Sequence, residues 1–292
     1  MRGNALERPS RSLTIVLPAY NEAARLGPAL DELFAYLRGA PPPRAGGVSV
    51  DGLGPDWAVL VVDDGSTDDT GAIVLGRPEA KGPEPRLRLL RVAHAGKGAA
   101  VRAGMLATDS ELAIFADADM ATPPDQLPRL TRALESAEVA LGSRIQPDGS
   151  DRRAGQPAYR RFLGRLFHAL AAAWVTGPVP DTQCGFKGFR REAARDLFAR
   201  QRIGSIVFDA ELIHLARRRG YRIVVVPVEW SDRHGSRMRP GVRLALRVAW
   251  DLFRIPLLHR GVGPRAAATR SEPAVGEPSP PGPALNGTRR GC

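Results

Sequence analysis

The sequence predicts an α/β fold with a mostly parallel sheet and helices on both of its faces. In the first half of the chain, short apolar runs alternate with segments whose apolar residues recur at helical spacing. Polar, turn-forming residues directly follow several of the apolar runs, as they do at the carboxyl ends of parallel strands. The 292 residues, of which 43% are hydrophobic, provide an ample core for one large domain or two small ones.

The predicted elements follow one another in βαβ order. Pro18 ends the first apolar run, and Asn21 is expected to cap the first helix, whose apolar positions are Leu26, Leu30, Leu33, Phe34 and Leu37. A turn-rich segment at 63–68 is expected to cap a second helix that begins near Asp69. Predicted strands cover residues 13–17, 59–62, 87–92, 112–116 and 139–141, and two further helices cover 98–107 and 125–135.

Three polar segments come just after predicted strands, at 18–22, 63–66 and 117–119. Because ligands bind beyond the carboxyl ends of parallel strands, these segments are expected to meet at one edge of the sheet. The first strand is not followed by Gly-x-Gly-x-x-Gly, and the sequence GKG at 96–98 lacks the leading glycine and the Ser or Thr of a P-loop. The sheet is therefore expected to bind a nucleotide without belonging to a dehydrogenase or an NTPase.

Asp117 and Asp119 flank a single alanine directly after a predicted strand. Two carboxylates this close repel each other unless a cation lies between them, and carboxylate oxygens favour Mg²⁺ or Mn²⁺. A divalent cation implies a substrate that carries phosphate. The alternative is a solvated loop after a strand, because so short a motif often occurs without function.

The net charge of +11 is unevenly distributed. Residues 1–140 hold 15 Lys and Arg against 19 Asp and Glu, whereas residues 141–260 hold 23 against 10. The basic half is expected to attract phosphates, anionic lipid or nucleic acid. Nucleic acid is disfavoured as a partner, because aromatic residues make up only 6% of the chain and no helix-turn-helix, zinc or RNA-recognition pattern is present.

The cysteine content and the apolar segments bear on the cellular setting. Cys184 and Cys292 are too few for a disulfide framework, so a reducing, cytosolic setting is expected. Residues 1–12 contain no apolar run that would act as a secretory signal. The longest uncharged stretch, within 166–181, is too short and too rich in Gly and Pro to cross a bilayer.

Four segments together resemble the family-2 glycosyltransferases of GT-A fold: IVLPAYNE at 15–22, VVDDGSTD at 61–68, GKGAAVRAG at 96–104 and DAD at 117–119. Within that family, DTQCGFK at 181–187 and FDAEL at 208–212 resemble the dolichyl-phosphate β-glucosyltransferases, with the dolichyl-phosphate mannose synthases as near relatives. VEWSD at 228–232 and GSR at 235–237 favour the glucosyl branch. The resemblance covers residues 13–257, and it departs from the family pattern at His94, where relatives commonly carry asparagine.

The resemblance implies inverting transfer of a hexose to a polyprenyl or dolichyl phosphate, with glucose from UDP-glucose favoured. Asp117 and Asp119 would then hold Mg²⁺ or Mn²⁺ on the donor diphosphate. Asp64 would hold the base or ribose, unless it caps a helix, and Lys97 would lie near the phosphates, unless it faces solvent. The other expected donor-site residues are Pro18, Tyr20 and Glu22.

The acceptor side needs positioning more than a general base, because a phosphomonoester with a second pKa of about 6 is largely dianionic at neutral pH. Arg144 and Lys187 are expected to hold that phosphate, the alternative being two surface cations. Asp181 is expected beside the sugar hydroxyls or the attacking oxygen. Asp209 and Glu211 compete for this role, and at most one should face the reacting centre, because their spacing points them in different directions.

A polyprenyl acceptor lies in a membrane, so we expect peripheral association with the cytoplasmic face of a membrane. Segments 159–174 and 242–258 mix Arg with Trp, Phe and Leu as interfacial helices do, although the first fits packing on the core equally well. The expected organisation is an N-terminal arm at 1–12, a GT-A catalytic domain at 13–240, an amphipathic, membrane-associating helix at 241–260 and a disordered, proline-rich tail at 261–292.

Other functions stay open at this point. The donor could be GDP-mannose, which would make the protein a polyprenyl-phosphate mannose synthase, or the acceptor could be soluble. A non-enzymatic alternative is a basic protein that binds nucleotides or nucleic acid through Lys and Arg contacts to phosphate.

Overall fold

The computed structural model describes residues 12–39, 56–146, 148, 169–231 and 242–265. The strands are β1 Leu13–Ala19, β2 Trp57–Asp63, β3 Leu87–Arg91, β4 Leu112–Phe115, β5 Val139–Ser143, β6 Lys187–Arg190 and β7 Ile223–Pro227. The helices are α1 Ala23–Leu37, α2 Thr70–Gly76, α3 Lys97–Leu106, α4 Leu127–Ala133, α5 Arg191–Arg200, α6 Phe208–Arg219 and α7 Val242–Leu258. Within the described residues, the strands form one seven-stranded sheet in the order β3-β2-β1-β4-β6-β5-β7.

The sheet is parallel except at β6, which pairs antiparallel with β4 and β5. β1 pairs with β2 along its whole length, from Leu13 opposite Trp57 to Ala19 opposite Asp63. β1 also pairs with β4, whose last residue, Phe115, lies opposite Val16. The carboxyl ends of β1, β2 and β4 therefore share one edge, and the predicted mostly parallel α/β sheet is confirmed.

Alternating side chains of the central strands enter two cores, one on each face of the sheet. Ile15 and Leu17 join a core that includes Leu26, Leu30, Leu33 and Phe34 of α1 and Leu127 and Leu130 of α4. Val16 joins the other core, with Val101 and Met105 of α3, Leu197 and Phe198 of α5 and Leu212 of α6. Helices therefore cover both faces, as the sequence predicts.

Two helix starts differ from the sequence prediction. The prediction that Asn21 caps α1 is wrong, because Asn21 has a φ of 54° and its side-chain oxygen accepts a hydrogen bond from the backbone N–H of Thr67 at 2.8 Å. The predicted helix at 125–135 is divided into a 3₁₀ turn, Pro124–Gln126, and α4, which has a proline in its first turn. By contrast, Asp68 in the turn-rich segment accepts a hydrogen bond from the N–H of Thr70 at the start of α2, at 3.0 Å.

A third, smaller apolar cluster attaches α7 to the rest of the protein. Leu252 and Ile255 of α7 are buried in it together with Ile203, Val207 and Ala210. None of the helices in the described part of the chain has both the length and the apolar character that bilayer crossing requires. Several predictions fall wholly or partly outside the described residues, namely those for 1–11, 159–168, 235–237 and 266–292.

Gly104 allows α3 to approach the sheet, because a Cβ at this position would lie 2.7 Å from Cγ2 of Val62 and closer still to Val16. We expect Gly104→Ala to lower the free energy of unfolding by about 1–3 kcal/mol, the usual cost of overpacking a core. Urea denaturation would measure this change. Gly27→Ala on α1 is the matched control, because a Cβ there meets nothing within 4 Å. It should raise the free energy of unfolding by roughly 0.5–1 kcal/mol, and equal effects of the two changes would contradict the close packing of α3.

Candidate active site

Hydrogen bonds between the loops after β1 and β2 fix the edge of the sheet. The backbone N–H of Asn21 donates to Oγ of Ser66 at 2.9 Å, and that of Glu22 donates to Oγ1 of Thr70 at 2.8 Å. The third polar segment reaches the same place through Asp119, whose carboxylate contacts Arg25 of α1. The structure thus brings the three predicted polar segments together.

Asp64 is buried and shapes the turn that follows β3. Its carboxylate accepts hydrogen bonds from the backbone N–H groups of Ala95 at 2.9 Å and Gly96 at 3.0 Å. Nδ1 of His94 lies 2.9 Å from the same carboxylate, and the His94 ring stacks on Tyr20 with the ring centroids 4.2 Å apart. Both rings are exposed, so they form a flat platform at the edge of the sheet. The role of Asp64 at a base or ribose stays a prediction.

Each of the two carboxylates after β4 contacts a different cation. Oδ1 of Asp117 lies 2.5 Å from Nζ of Lys97, and Oδ2 of Asp119 lies 3.3 Å from Nη1 of Arg25. Arg25 also donates to both carboxylate oxygens of Glu22, at 2.6 and 2.7 Å. Burial, followed by the negative charge of Asp117, raises the pKa of Asp119 above its usual value. The two cations therefore do not offset the whole cost of charging this turn, which favours a further positive charge.

Lys97 is the first residue of α3 and follows a turn that requires glycine. Gly96 has a φ of 99°, and a Cβ on it would lie 2.7 Å from the carbonyl oxygen of Gly204. Burial acts to lower the pKa of Lys97, but the charges of Asp117 and Asp209 outweigh it, so the pKa lies above its usual value. Lys97 therefore presents a permanent positive charge beside Asp117.

The chain around Gly185 packs directly against Asp117. A Cβ on Gly185 would lie 2.5 Å from Cγ of Asp117, so a larger residue would displace the carboxylate. The neighbouring Cys184 is buried, and burial raises the pKa of its thiol to about 12, which keeps it protonated at neutral pH. Neither Gly185 nor Arg25 was predicted as a site residue from the sequence. The available signals were the glycine within DTQCGFK and the three-residue spacing between Glu22 and Arg25.

Arg144 and Asp181 bind each other. Nε and Nη2 of Arg144 donate to the two oxygens of Asp181 at 2.7 and 2.8 Å, and the backbone N–H of Arg144 adds a third hydrogen bond at 3.0 Å. Burial acts to lower the pKa of Arg144, but the hydrogen bonds and charge of Asp181 raise it above its usual value. The guanidinium carbon lies 5.7 Å from the ring centroid of Trp230. Two residues predicted for separate roles thus form one structural unit.

Lys187 and Asp209 form a second pair in the interior. Nζ of Lys187 lies 2.5 Å from Oδ1 of Asp209 and donates to the carbonyl oxygen of Cys184, and the two side chains are 0% and 5% exposed. Burial raises the pKa of Asp209 above its usual value, although Lys187 and Lys97 act to lower it. The alternative of a surface cation is wrong for Lys187, whereas its role at the acceptor stays a prediction. Glu211 faces elsewhere, as its spacing from Asp209 predicts.

The order of these motifs along the chain matches a known family. Residues 14–198 match the model of glycosyl transferase family 2. The chain belongs to this family. It is 38% identical over 256 residues to a dolichyl-phosphate beta-glucosyltransferase of Trichomonas vaginalis, in a match that covers 85% of this chain and 71% of that protein. It is 35% identical to the dolichyl-phosphate beta-glucosyltransferase of Drosophila melanogaster, over 85% and 76% of the two chains. For the Homo sapiens enzyme of the same name the identity is 31%, over 80% and 72%.

Solved structures support the fold of this family-2 member. A glucosyl-3-phosphoglycerate synthase from Mycobacterium tuberculosis, in complex with Mn²⁺, UDP and glucosyl-3-phosphoglycerate, superposes with a TM-score of 0.56. The two chains are 19% identical, over 88% of this chain and 82% of that one. The same synthase with Mn²⁺, UDP-glucose and phosphoglyceric acid superposes with a TM-score of 0.56 at 21% identity. The predicted family and GT-A fold are confirmed.

The Arg144–Asp181 pair should contribute strongly to stability, because its loss leaves a largely buried guanidinium without its counter-charge. We expect Asp181→Asn to lower the free energy of unfolding by about 3 kcal/mol, measured by urea denaturation. Asp109→Asn is the matched control, since Asp109 pairs with Arg195 at the surface with a side chain 85% exposed. That change should cost less than about 1 kcal/mol. Equal, small losses in both variants would show that the Arg144–Asp181 pair is not formed as described.

Proposed function

We propose that this glycosyltransferase transfers glucose, with inversion, from UDP-glucose to a polyprenyl or dolichyl phosphate. The observation that carries the proposal is the turn at Asp117 and Asp119 with the Lys97 ammonium against it. Such an edge suits a donor whose leaving group is a diphosphate. The identity of the sugar and of the acceptor rests on the relatives named above, which are called dolichyl-phosphate beta-glucosyltransferases.

The donor half of the site suits a divalent cation. Asp117 and Asp119 would hold it, because burial and the charge of Asp117 keep the pKa of Asp119 raised although Arg25 and Lys97 lie beside the turn. The described residues contain no group of three or more His, Cys, Asp and Glu side chains that could hold a metal ion, so oxygens of the donor diphosphate would complete the coordination. Both Mg²⁺ and Mn²⁺ accept such oxygen ligands. When bound, the cation stabilises the negative charge that develops on the leaving diphosphate.

The remaining donor contacts come from side chains that the structure already holds in place. Lys97 supplies a second positive charge for the phosphates at the N-terminus of α3, where the helix dipole also favours anions. The stacked rings of Tyr20 and His94 offer a flat, exposed surface for a nucleotide base. Pro18 lies within the last residues of β1, opposite Val62, rather than just after the strand, and Glu22 directly precedes α1. Glu22 orients Arg25 toward Asp119.

On the acceptor side, we assign phosphate binding mainly to Arg144. A guanidinium has five N–H donors, and Asp181 takes two of them, which leaves others for a phosphate. Asp181 then orients Arg144. An oxygen of the dianionic phosphate attacks the anomeric carbon of the sugar as the bond from that carbon to the UDP diphosphate breaks, with little need for a general base. Lys187 and Asp209 lie deeper, so their assigned contribution is a buried charge pair behind Gly185 and Asp117.

The proposed lipid acceptor requires a surface that contacts a membrane, and we propose peripheral association at the cytoplasmic face. An exposed apolar patch supports this: Trp174, Leu246, Trp250, Phe253 and Leu257, which are 37–66% exposed. Trp174 stacks on Phe253 at 5.9 Å, and Trp250 lies 6.1 Å from Phe253, so the rings adjoin one another. Exposed Arg247 and Arg260 lie on and just after α7, where anionic headgroups would attract them. The low cysteine content agrees with the cytoplasmic side.

Transfer of radiolabelled sugar into polyprenyl phosphate tests the proposed reaction. We expect labelled lipid from UDP-glucose, not from GDP-mannose, and its loss when EDTA is added. Asp117→Asn should lower the rate by roughly 10²-fold or more, because the turn then lacks one of its two charges. Asp109→Asn, at the exposed surface pair, should leave the rate unchanged. Labelling from GDP-mannose alone would overturn the donor assignment, and full activity of Asp117→Asn would overturn the metal role.

Co-sedimentation with phosphatidylglycerol vesicles tests the proposed membrane contact. The double change Trp250→Ser and Phe253→Ser should weaken vesicle binding by roughly 10-fold or more, because each large apolar side chain contributes over a kcal/mol when it leaves water. Leu75→Ser on α2 is the control, since Leu75 is also exposed, at 53%, but lies away from the patch. Equal binding by the double variant and the control would count against this surface.

A further inference from the structure

The connection between α5 and α6, residues 201–207, lies between α7 and the turn that carries Lys97. Its backbone contacts the turn that carries Lys97, and its side chains contact α7. We infer that α7, through this connection, positions the turn that carries Lys97. The apolar patch on α7 and the donor site are then energetically coupled. The inference rests on the proposed function for the identities of the two ligands, a lipid surface and a nucleoside diphosphate.

On the side of α7, Leu252 and Ile255 pack against Ile203 and Val207 of the connection. Two polar contacts add to this packing. Oγ of Ser205 donates to Oδ2 of Asp251 at 2.6 Å, and Asp251 is 4% exposed. Nε2 of His259, just after α7, lies 2.7 Å from Oε1 of Glu211, which is fully buried. The Glu211 carboxylate in turn accepts hydrogen bonds from the backbone N–H groups of Arg202 and Ile203, both at 2.9 Å.

On the donor side, the same connection forms the wall behind the Lys97 turn. The backbone N–H of Gly98 donates to the carbonyl oxygen of Gly204 at 2.8 Å. Nε2 of Gln201 donates to the carbonyl oxygen of Gly98 at 2.9 Å. A Cβ on Gly96 would lie 2.7 Å from the Gly204 oxygen, and one on Gly204 would lie 2.9 Å from the Ala95 oxygen. With so little room between the two backbones, a shift of the connection moves the Lys97 turn.

The position of α7 explains why the coupling extends to a membrane. Leu252 and Ile255 face the connection, whereas Trp250 and Phe253 on the same helix are exposed in the apolar patch. A lipid surface that binds the patch most tightly when α7 is docked also stabilises the connection behind Lys97. By linkage, lipid binding and donor binding then strengthen each other by the same factor.

Ser205→Ala tests the inference, because it removes one contact to α7 while Asp251 keeps its ion pair with Arg254. We expect the affinity of the full chain for UDP, measured by calorimetry in Mn²⁺ without lipid, to fall roughly 5-fold or more. Asp251→Ala should match this loss, and Asp251→Asn should restore most of the affinity, since an amide oxygen still accepts from Ser205. Ser136→Ala is the matched control, because it removes a serine hydroxyl that donates to the carbonyl oxygen of Ala133, away from α7, the apolar patch and the connection.

Phosphatidylglycerol vesicles supply the second readout. They should raise the UDP affinity of the unmodified protein and have a smaller effect on Ser205→Ala. Unchanged UDP affinity in Ser205→Ala, or an equal loss in Ser136→Ala, would overturn the positioning role. No vesicle effect on the unmodified protein, although the vesicles bind, would overturn the coupling. If the unmodified protein bound no UDP and transferred no glucose, the proposed donor would itself be wrong.

Discussion

The repulsion between Asp117 and Asp119 is the constraint on which the site depends. Two carboxylates one residue apart, at the end of a buried strand, need positive charge beside them. Lys97 and Arg25 provide part of it, from two different helices, and the pKa of Asp119 remains raised by burial and by Asp117. The divalent cation and donor diphosphate proposed for this turn would complete the balance.

The structure around this turn restricts how its members can move. Glycine at 185 lets the backbone reach the Asp117 carboxylate, and glycine at 96 provides the left-handed turn before Lys97. Behind them, Arg144 and Lys187 each bind a buried carboxylate, so these two cations are held in fixed orientations. Preorganised charges of this kind stabilise a developing negative charge without reorganisation during the reaction.

Much of the fold could be predicted from local patterns, because strands with apolar runs and helices with 3.6-residue periodicity leave a clear signal. The edge at which 18–22, 63–66 and 117–119 meet followed from that alternation alone. Strand β6, Lys187–Arg190, was not predicted, since four residues with two cations lack a strand pattern, and its place depends on pairing with β4 and β5. The pairing of Arg144 with Asp181 could not be predicted either, because the partners are 37 positions apart. Asparagine is a residue type common at helix caps, but Asn21 has a φ of 54° and its side-chain oxygen binds the N–H of Thr67 instead.

The most direct measurement is a crystal structure of the full chain with UDP and Mn²⁺, recorded at the manganese absorption edge. We expect an anomalous peak between the UDP diphosphate and the turn at Asp117 and Asp119, with the base near Tyr20 and His94. A manganese peak away from both carboxylates, or UDP bound at another part of the sheet, would contradict the assignment of this edge as the donor site.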